Sequence, residues 1–297
     1  MSNSQSIQTA AVLGAGAMGA GIAQVAAQAG IRTRLYDIEE SFARAGMAKI
    51  EAMLEKGVQK GKVTAERKAE VLALLEPVWD LECAVSGVDL VIEAAPEKLG
   101  LKQDIFKRVA AVVSADAMIA TNTSSLSVTE LATVVPNPER FLGLHFFNPP
   151  PLMKLLEVVR GEKTSQQTLD RALELSERMG KSPIVVKDAP GFASSRLGVT
   201  LGLEAIRMVE EGVASAADID TAMELGYRHP MGPLKLTDMI GLDVRLHISE
   251  YLAETLDDVR FKAPDLMRQM VADGHLGRKS GRGFYNWSSG KPEPLND

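Results

Sequence analysis

The sequence predicts an α/β fold: a doubly wound parallel sheet over residues 1–187, followed by an all-helical domain over residues 188–297. Three observations predict it. Short β-branched or aliphatic runs alternate with longer amphipathic stretches up to about residue 187, the pattern of strands wrapped by helices. A glycine-rich run, Gly14 to Gly19, separates the first apolar run from the first helical one. After Asp188-Ala189-Pro190-Gly191 the strand signals stop, and the Pro-Gly pair marks the boundary.

In chain order, strands are expected at Thr9 to Leu13, Arg32 to Asp37, Pro77 to Trp79, Asp89 to Glu93, Met118 to Asn122, Phe141 to Phe146, Leu155 to Val159 and Ile184 to Val186. Helical spacing fills Ala20 to Ala29, Ser41 to Lys60, Thr64 to Leu75, Leu101 to Val113 and Gln166 to Met179. The last of these is expected to open on a capping box of Thr164 and Gln167 and to stop at Gly180. The second domain reads as helices at Phe192 to Glu211, Ala216 to Leu225, Leu242 to Leu256 and Pro264 to Asp273.

Composition narrows the function classes. At 297 residues, 45% hydrophobic and 24% charged, the chain is neither disordered nor a disulfide mini-protein, and its one cysteine, Cys83, cannot form an internal disulfide. The first 31 residues lack charge, but they also lack a basic n-region and are interrupted by glycines, so no targeting segment and a cytoplasmic location are expected. No run offers about twenty uninterrupted apolar residues for a membrane span. Net charge is -6, which argues against a nucleic-acid coat. That acidity is uneven: residues 188–297 carry 12 basic and 17 acidic groups, whereas residues 49–68 hold six basic groups against three acidic ones. One cysteine and four scattered histidines show no metal-ligand spacing, so no metal is expected.

Gly14-Ala15-Gly16-Ala17-Met18-Gly19 fits G-x-G-x-x-G between strand and helix, where glycines permit a tight turn and close approach of a pyrophosphate to a helix N-terminus. Asp37 ends the second strand, where a carboxylate accepts from adenosine ribose hydroxyls and repels a 2′-phosphate. That favours NAD over NADP. A helix cap is the structural alternative for Asp37, and the nearby Arg34 works against the preference.

Among the histidines, His145 ends an apolar strand in Gly143-Leu144-His145-Phe146-Phe147-Asn148-Pro149-Pro150, at the sheet edge where such folds place ligands. It is the candidate general base; a satisfied core histidine is the alternative. Glu157 is an isolated carboxylate in Leu155 to Val159, and a strand, a proline turn and a second strand would bring it back beside His145 to orient the ring. Otherwise it faces water from an edge strand. Ser124, just past the strand ending at Thr121-Asn122, either hydrogen-bonds a substrate oxygen or caps a helix.

These runs, with Asn122-Thr123-Ser124-Ser125, Pro190-Gly191-Phe192, Pro230-Met231-Gly232-Pro233 and Gly281-Arg282-Gly283-Phe284-Tyr285, keep an order and spacing that resembles the 3-hydroxyacyl-CoA dehydrogenase family, in its bacterial 3-hydroxybutyryl-CoA branch, over nearly the whole chain. The resemblance implies hydride transfer between C3 of an (S)-3-hydroxyacyl-CoA and NAD. It implies that His145 takes the hydroxyl proton, that Glu157 stabilises the imidazolium, and that Ser124 contacts the substrate oxygen and the nicotinamide region. Asn148, Glu97, Lys102 and Lys279 match cofactor positions, Lys60 in the basic helix pair matches a CoA contact, and a homodimer is implied. Apolar positions of the first C-terminal helix, among them Leu197, Val199, Leu203 and Ile206, serve either that interface or the domain's own core.

One position departs from the family pattern. In Pro190-Gly191-Phe192-Ala193-Ser194-Ser195-Arg196, Ser195 stands where the family has asparagine, a residue implied to hold the substrate's carbonyl end. Serine is shorter and lacks the amide pair. It takes over that bond, marks a different acyl chain, or merely packs or caps a helix start. The rival reading is a dehydrogenase of a free 3-hydroxy acid, resembling those for carnitine or sugar acids, built on the same fold without CoA.

Overall fold

The computed structural model describes residues 6–295, which divide after Ala189 into two compact units. The first alternates β1 (Thr9–Leu13), α1 (Ala17–Gln28), β2 (Arg32–Tyr36), α2 (Glu40–Gln59), α3 (Ala65–Ala73), β3 (Leu75–Val78), α4 (Leu81–Val85), β4 (Leu90–Glu93), α5 (Leu99–Val112), β5 (Met118–Thr121), α6 (Val128–Ala132), β6 (Phe141–Phe146), β7 (Leu155–Arg160), α7 (Gln166–Arg178) and β8 (Ser182–Lys187). Eight strands form one sheet in the order β3-β2-β1-β4-β5-β6-β7-β8, parallel throughout except for the antiparallel pair β6 and β7. Strand order reverses beside β1, so the crevice between the carboxyl ends of β1 and β4 is where this topology receives a ligand.

The central strands are apolar on both faces because helices cover both: β4, β5 and β6 are buried at every residue. Close packing of α1 against its surroundings depends on its small residues. A side chain at Gly21 would stand 2.7 Å from Pro150, in the loop after β6. That loop is held from its other side by the buried Lys181, whose ammonium donates to the carbonyls of Pro150 and Met153.

Helix ends differ from expectation where hydroxyls are used elsewhere. Thr164 does not cap α7; its Oγ1 donates to Phe141 O at 2.7 Å and accepts from Gly161 N–H, and Ser165 takes the cap by accepting from Thr168 N–H. Helix α1 begins at Ala17, three residues earlier than its apolar spacing suggests, because Gly16 is its N-cap. Helices α4 and α6, five residues each, are too short to show a helical period.

The second unit holds α8 (Ser194–Glu210), α9 (Ala216–Thr221), α10 (Pro233–Ile240), α11 (Leu242–Leu256) and α12 (Asp265–Ala272), with a two-stranded antiparallel ribbon of Tyr285–Asn286 and Glu293–Pro294 that the sequence pattern did not reveal. Helix α10 has no distinct signal in the sequence, because Pro233 at its first turn marks a turn as readily as a helix start. Val199, Leu203 and Ile206 of α8 lie in this unit's own core, while Leu197 is exposed. Among the described residues no helix is long and apolar enough to cross a membrane.

Candidate active site

The glycine-rich loop leaves β1 through Gly14, whose φ of +104° suits glycine and whose missing side chain would stand 2.6 Å from Ala94 O. A side chain at Gly19 would overlap the carbonyl of Gly14. Gly16 differs: a Cβ there would meet nothing within 4 Å, so this glycine keeps space open at the head of α1. That open cradle at a helix N-terminus, with no side chain capping it, fits a dinucleotide pyrophosphate.

Asp37, just beyond β2, accepts from Ala15 N–H at 2.7 Å and from Ile38 N–H at 2.8 Å. It therefore ties the loop to β2; the N-cap of α2 is Glu39, which makes no side-chain cap bond. Arg34 does not oppose it. Its guanidinium donates to the carbonyls of Cys83 and Ser86, both at 2.8 Å, and lies 3.5 Å from Glu76.

A cleft of about 360 Å³ at the carboxyl ends of β4, β5 and β6 is lined by Met18, Ala94, Ala95, Glu97, Lys102, Asn122, Ser124, His145, Phe146, Phe147 and Asn148. Five of the predicted site residues besides Met18 thus meet on one wall: Glu97, Lys102, Ser124, His145 and Asn148. Their supports follow from the strand geometry. His145 and Glu157 are directly opposed residues of β6 and β7, and His145 Nδ1 lies 2.7 Å from a Glu157 carboxylate oxygen. His145 is 7% exposed and Glu157 fully buried. Strand β7 is interior, between β6 and β8, so Glu157 does not face water. The pairing sets the Nδ1–H tautomer and leaves Nε2 as the basic nitrogen.

Ser124 is not a helix cap. Ser127 caps α6, accepting from Glu130 N–H, and Asp188 accepts from Val128 and Thr129 N–H at the same helix start. The turn bearing Ser124 is instead fastened by Glu97, whose Oε1 accepts from Thr123 Oγ1, Ser124 N–H at 3.0 Å, Ser125 N–H at 3.2 Å and Ser125 Oγ at 3.2 Å. Its Oε2 lies 3.1 Å from Lys102 Nζ. Burial pushes the Glu97 carboxyl up, but the Lys102 charge and the hydrogen bonds from Thr123 and Ser124 outweigh it and hold it below the usual range.

Sequence reasoning missed two residues here. Glu93 is a fully buried carboxylate paired with Lys102 at 2.6 Å; the signal was available, since it ends an apolar strand as conspicuously as Glu157 interrupts one. Asn122 Oδ1 accepts from Phe146 N–H at 2.9 Å, joining the ends of β5 and β6 beside His145; an asparagine after a strand carries no distinctive signal.

Lys60, Lys279 and Ser195 are not among the residues that line this cleft. Lys60 is the exposed residue ending α2; of the basic segment around it, Lys68 is occupied by Glu55 at 2.9 Å and Arg67 by Glu70 at 2.8 Å. Lys49, Lys56 and Lys62 are exposed, and with Lys60 they form no ion pair among the described residues. In the second unit, Lys279 pairs with Asp243 at 2.5 Å. Ser195 is the second residue of α8, whose N-cap is Ala193, so it does not cap that helix.

Residues 9–189 match the family described as 3-hydroxyacyl-CoA dehydrogenase, NAD binding domain, and residues 191–287 match its C-terminal domain. The chain is 44% identical over 276 residues to a probable 3-hydroxybutyryl-CoA dehydrogenase of Bacillus subtilis, covering 93% of this chain and 96% of the relative. It is 43% identical to a 3-hydroxyadipyl-CoA dehydrogenase of Escherichia coli, covering 95% of this chain and 59% of that longer protein. The crystal structure of (S)-3-hydroxybutyryl-CoA dehydrogenase from Ralstonia eutropha superposes with a TM-score of 0.92 at 43% identity, covering 95% of this chain and 100% of that one.

Proposed function

The chain belongs to the 3-hydroxyacyl-CoA dehydrogenase family, and from that premise we propose that it catalyses the reversible, NAD-dependent oxidation of an (S)-3-hydroxyacyl-CoA to the 3-oxoacyl-CoA, with a short acyl chain such as 3-hydroxybutyryl. The observation that carries the reading is the His145–Glu157 pair, buried at the wall of a cleft that also holds Ser124 and Asn148. An imidazole with its proton fixed on Nδ1 is equipped to accept a hydroxyl proton at Nε2, and Glu157 compensates the imidazolium that results. Ser124 holds the substrate oxygen as it passes from alcohol to ketone, and Asn148 contacts the nicotinamide half of the cofactor. NAD, when bound, supplies the hydride acceptor for C3. Gly14 to Gly19 and Asp37 hold its adenosine diphosphate end, and Glu97, Lys102 and Lys279 are assigned to its remaining contacts. In the reverse direction His145 returns the proton to the carbonyl oxygen.

CoA is assigned to the exposed Lys60 and its neighbours at the end of α2. Ser195 is assigned to the acyl carbonyl. We read the protein as a cytoplasmic homodimer; the exposed Leu197, Leu225 and Tyr227 of the second unit support a covered face.

The test is NADH oxidation with acetoacetyl-CoA and with free acetoacetate, side by side. Turnover of the thioester alone is expected. Activity on the free acid alone overturns the reading.

A further inference from the structure

The reaction described above uses Glu157 and His145 but gives no part to the other fully buried carboxylate near the same cleft, Glu93. Glu93 ends β4 between β1 and β5, pairing in register with Leu13 on one side and Thr121 on the other. Its Oε1 accepts from Ala95 N–H and from Lys102 Nζ, each at 2.6 Å, and its Oε2 accepts from Thr121 Oγ1 at 2.7 Å. Lys102, 1% exposed, also donates to Ala95 O at 3.2 Å and reaches Glu97 at 3.1 Å. One ammonium thus sits between two carboxylates, and the second carboxylate uses its other oxygen to hold the 123–125 turn. A buried ion pair is weak evidence of stability, since desolvation offsets its Coulombic gain. Its geometric effect is plain: Lys102 is anchored at the sheet end by Glu93 and leans on Glu97 by a longer contact.

Resting on that functional reading of the cleft, we propose that Glu93 is a positioning residue for the reaction, holding Lys102 so that Glu97 braces the turn that presents Ser124. Residues 122–126 belong to no helix or strand, so the Glu97 oxygen is the main fastener of the Ser124 and Ser125 amides. With Glu93 neutral, Lys102 has one carboxylate instead of two. Its ammonium closes on Glu97, and the oxygen bracing the turn is drawn away. A displacement of reacting groups on the order of 1 Å costs up to about a hundredfold in rate.

The experiment is a double-mutant cycle on the full-length protein with Glu93→Gln, Ser124→Ala and the pair. It reads kcat and KM for acetoacetyl-CoA reduction, with amide hydrogen exchange over the 123–126 turn. Glu93→Gln is expected to lower kcat about tenfold with less change in KM, and to speed exchange at Ser124 and Ser125 while β4 and β5 stay protected. In the Ser124→Ala background its effect on kcat should fall below about twofold, by the coupling such cycles measure. Additive losses overturn the proposal, as does unchanged exchange in the turn. Should Glu93→Gln fail to fold, Glu93→Asp, which keeps the charge on a shorter arm, goes through the same cycle with the same criteria. A wild type inactive on every acyl-CoA overturns the functional reading alone, because the exchange measurement still decides whether Glu93 holds the turn.

Discussion

His145 and Glu157 stand directly opposite each other across the antiparallel pair β6 and β7 of the main sheet, and their buried side chains meet at 2.7 Å. The reversal of strand direction between β6 and β7 puts base and orienting acid in register; a parallel crossover would have needed a helix between them. His145→Ala is expected to lower kcat by about 10²–10⁴-fold, the range for loss of a general base. Glu157→Gln should cost less and add little on top of His145→Ala, since both act through one imidazole. Steady-state kinetics of the two single variants and the pair check this. Intact turnover in His145→Ala would remove it as the base.

Asp37 holds Ala15 N–H at 2.7 Å while Arg34 is committed to the carbonyls of Cys83 and Ser86. Arg34, the cation nearest in sequence to the end of β2, is therefore already held elsewhere. Asp37→Ser should raise KM for NAD about tenfold or more, consistent with the loss of charge-assisted hydrogen bonds. It should narrow the NAD over NADP preference by removing repulsion, without creating high NADP affinity. A variant that keeps the full wild-type preference would show that discrimination lies elsewhere.

Glu97 makes stability depend on acid pH. Its carboxyl is held below the ordinary 4.5 by Lys102, Thr123 and Ser124 against the opposing effect of burial. A lowered folded pKa means that the stabilisation is fully present above the unfolded value and is lost as pH falls through the folded one. Thermal melts of wild type and Glu97→Gln should thus differ most above about pH 4.5 and converge below it. A constant gap across that window would show that the ionised carboxylate is not what holds the turn.

How much of this was legible depends on the kind of signal. Alternation of strand and helix follows from which faces are buried, and it makes the sheet legible. Asp37 and Glu157 were legible because a carboxylate at or inside an apolar strand has to be used. Glu93 satisfies the same criterion, but its partner, Lys102, lies nine residues on in a helical stretch whose spacing does not place a lysine inside; only tertiary packing makes that lysine 1% exposed. Thr164 shows the converse failure. Local spacing makes it a helix cap, but a contact with Phe141, 23 residues away, claims its hydroxyl. Short elements such as α4 and α6 contain too few turns for any period to be read.

Arg245 is a buried charge in the second unit with no ion pair among the described residues. It is 2% exposed, and its guanidinium donates to Gly198 O while Nε has no partner among the described residues. Burial pushes its pKa down to about 10, so it remains charged at neutral pH without a carboxylate. Space for it comes from Gly202, where a side chain would overlap the guanidinium. Replacing even a buried ion pair by apolar volume is often neutral or stabilising, by up to about 4 kcal/mol, and Arg245 carries the desolvation without a carboxylate's Coulombic gain. Arg245→Met should raise Tm by about 3–8 °C with kcat unchanged. A lowered Tm would mean that the bond to Gly198 outweighs the desolvation.

Ser195 stands in the first turn of α8, and its replacement tests whether this position sets acyl preference. Its hydroxyl offers one donor on a short arm, where an asparagine would offer an amide that reaches farther and both donates and accepts. If a substrate carbonyl is held from this position, serine reaches it through water or leaves room for a bulkier or polar acyl group. Two thioesters separate these cases: 3-hydroxybutyryl-CoA, with a short apolar chain, and 3-hydroxyadipyl-CoA, whose chain ends in a second carboxylate. Ser195→Asn should therefore shift the ratio of kcat/KM between these two thioesters by about three- to tenfold, the worth of one hydrogen bond. The shift should lie in KM, because His145 and Glu157 are untouched. An unchanged ratio and unchanged rates across the acyl-CoA panel would reduce Ser195 to a packing residue of α8.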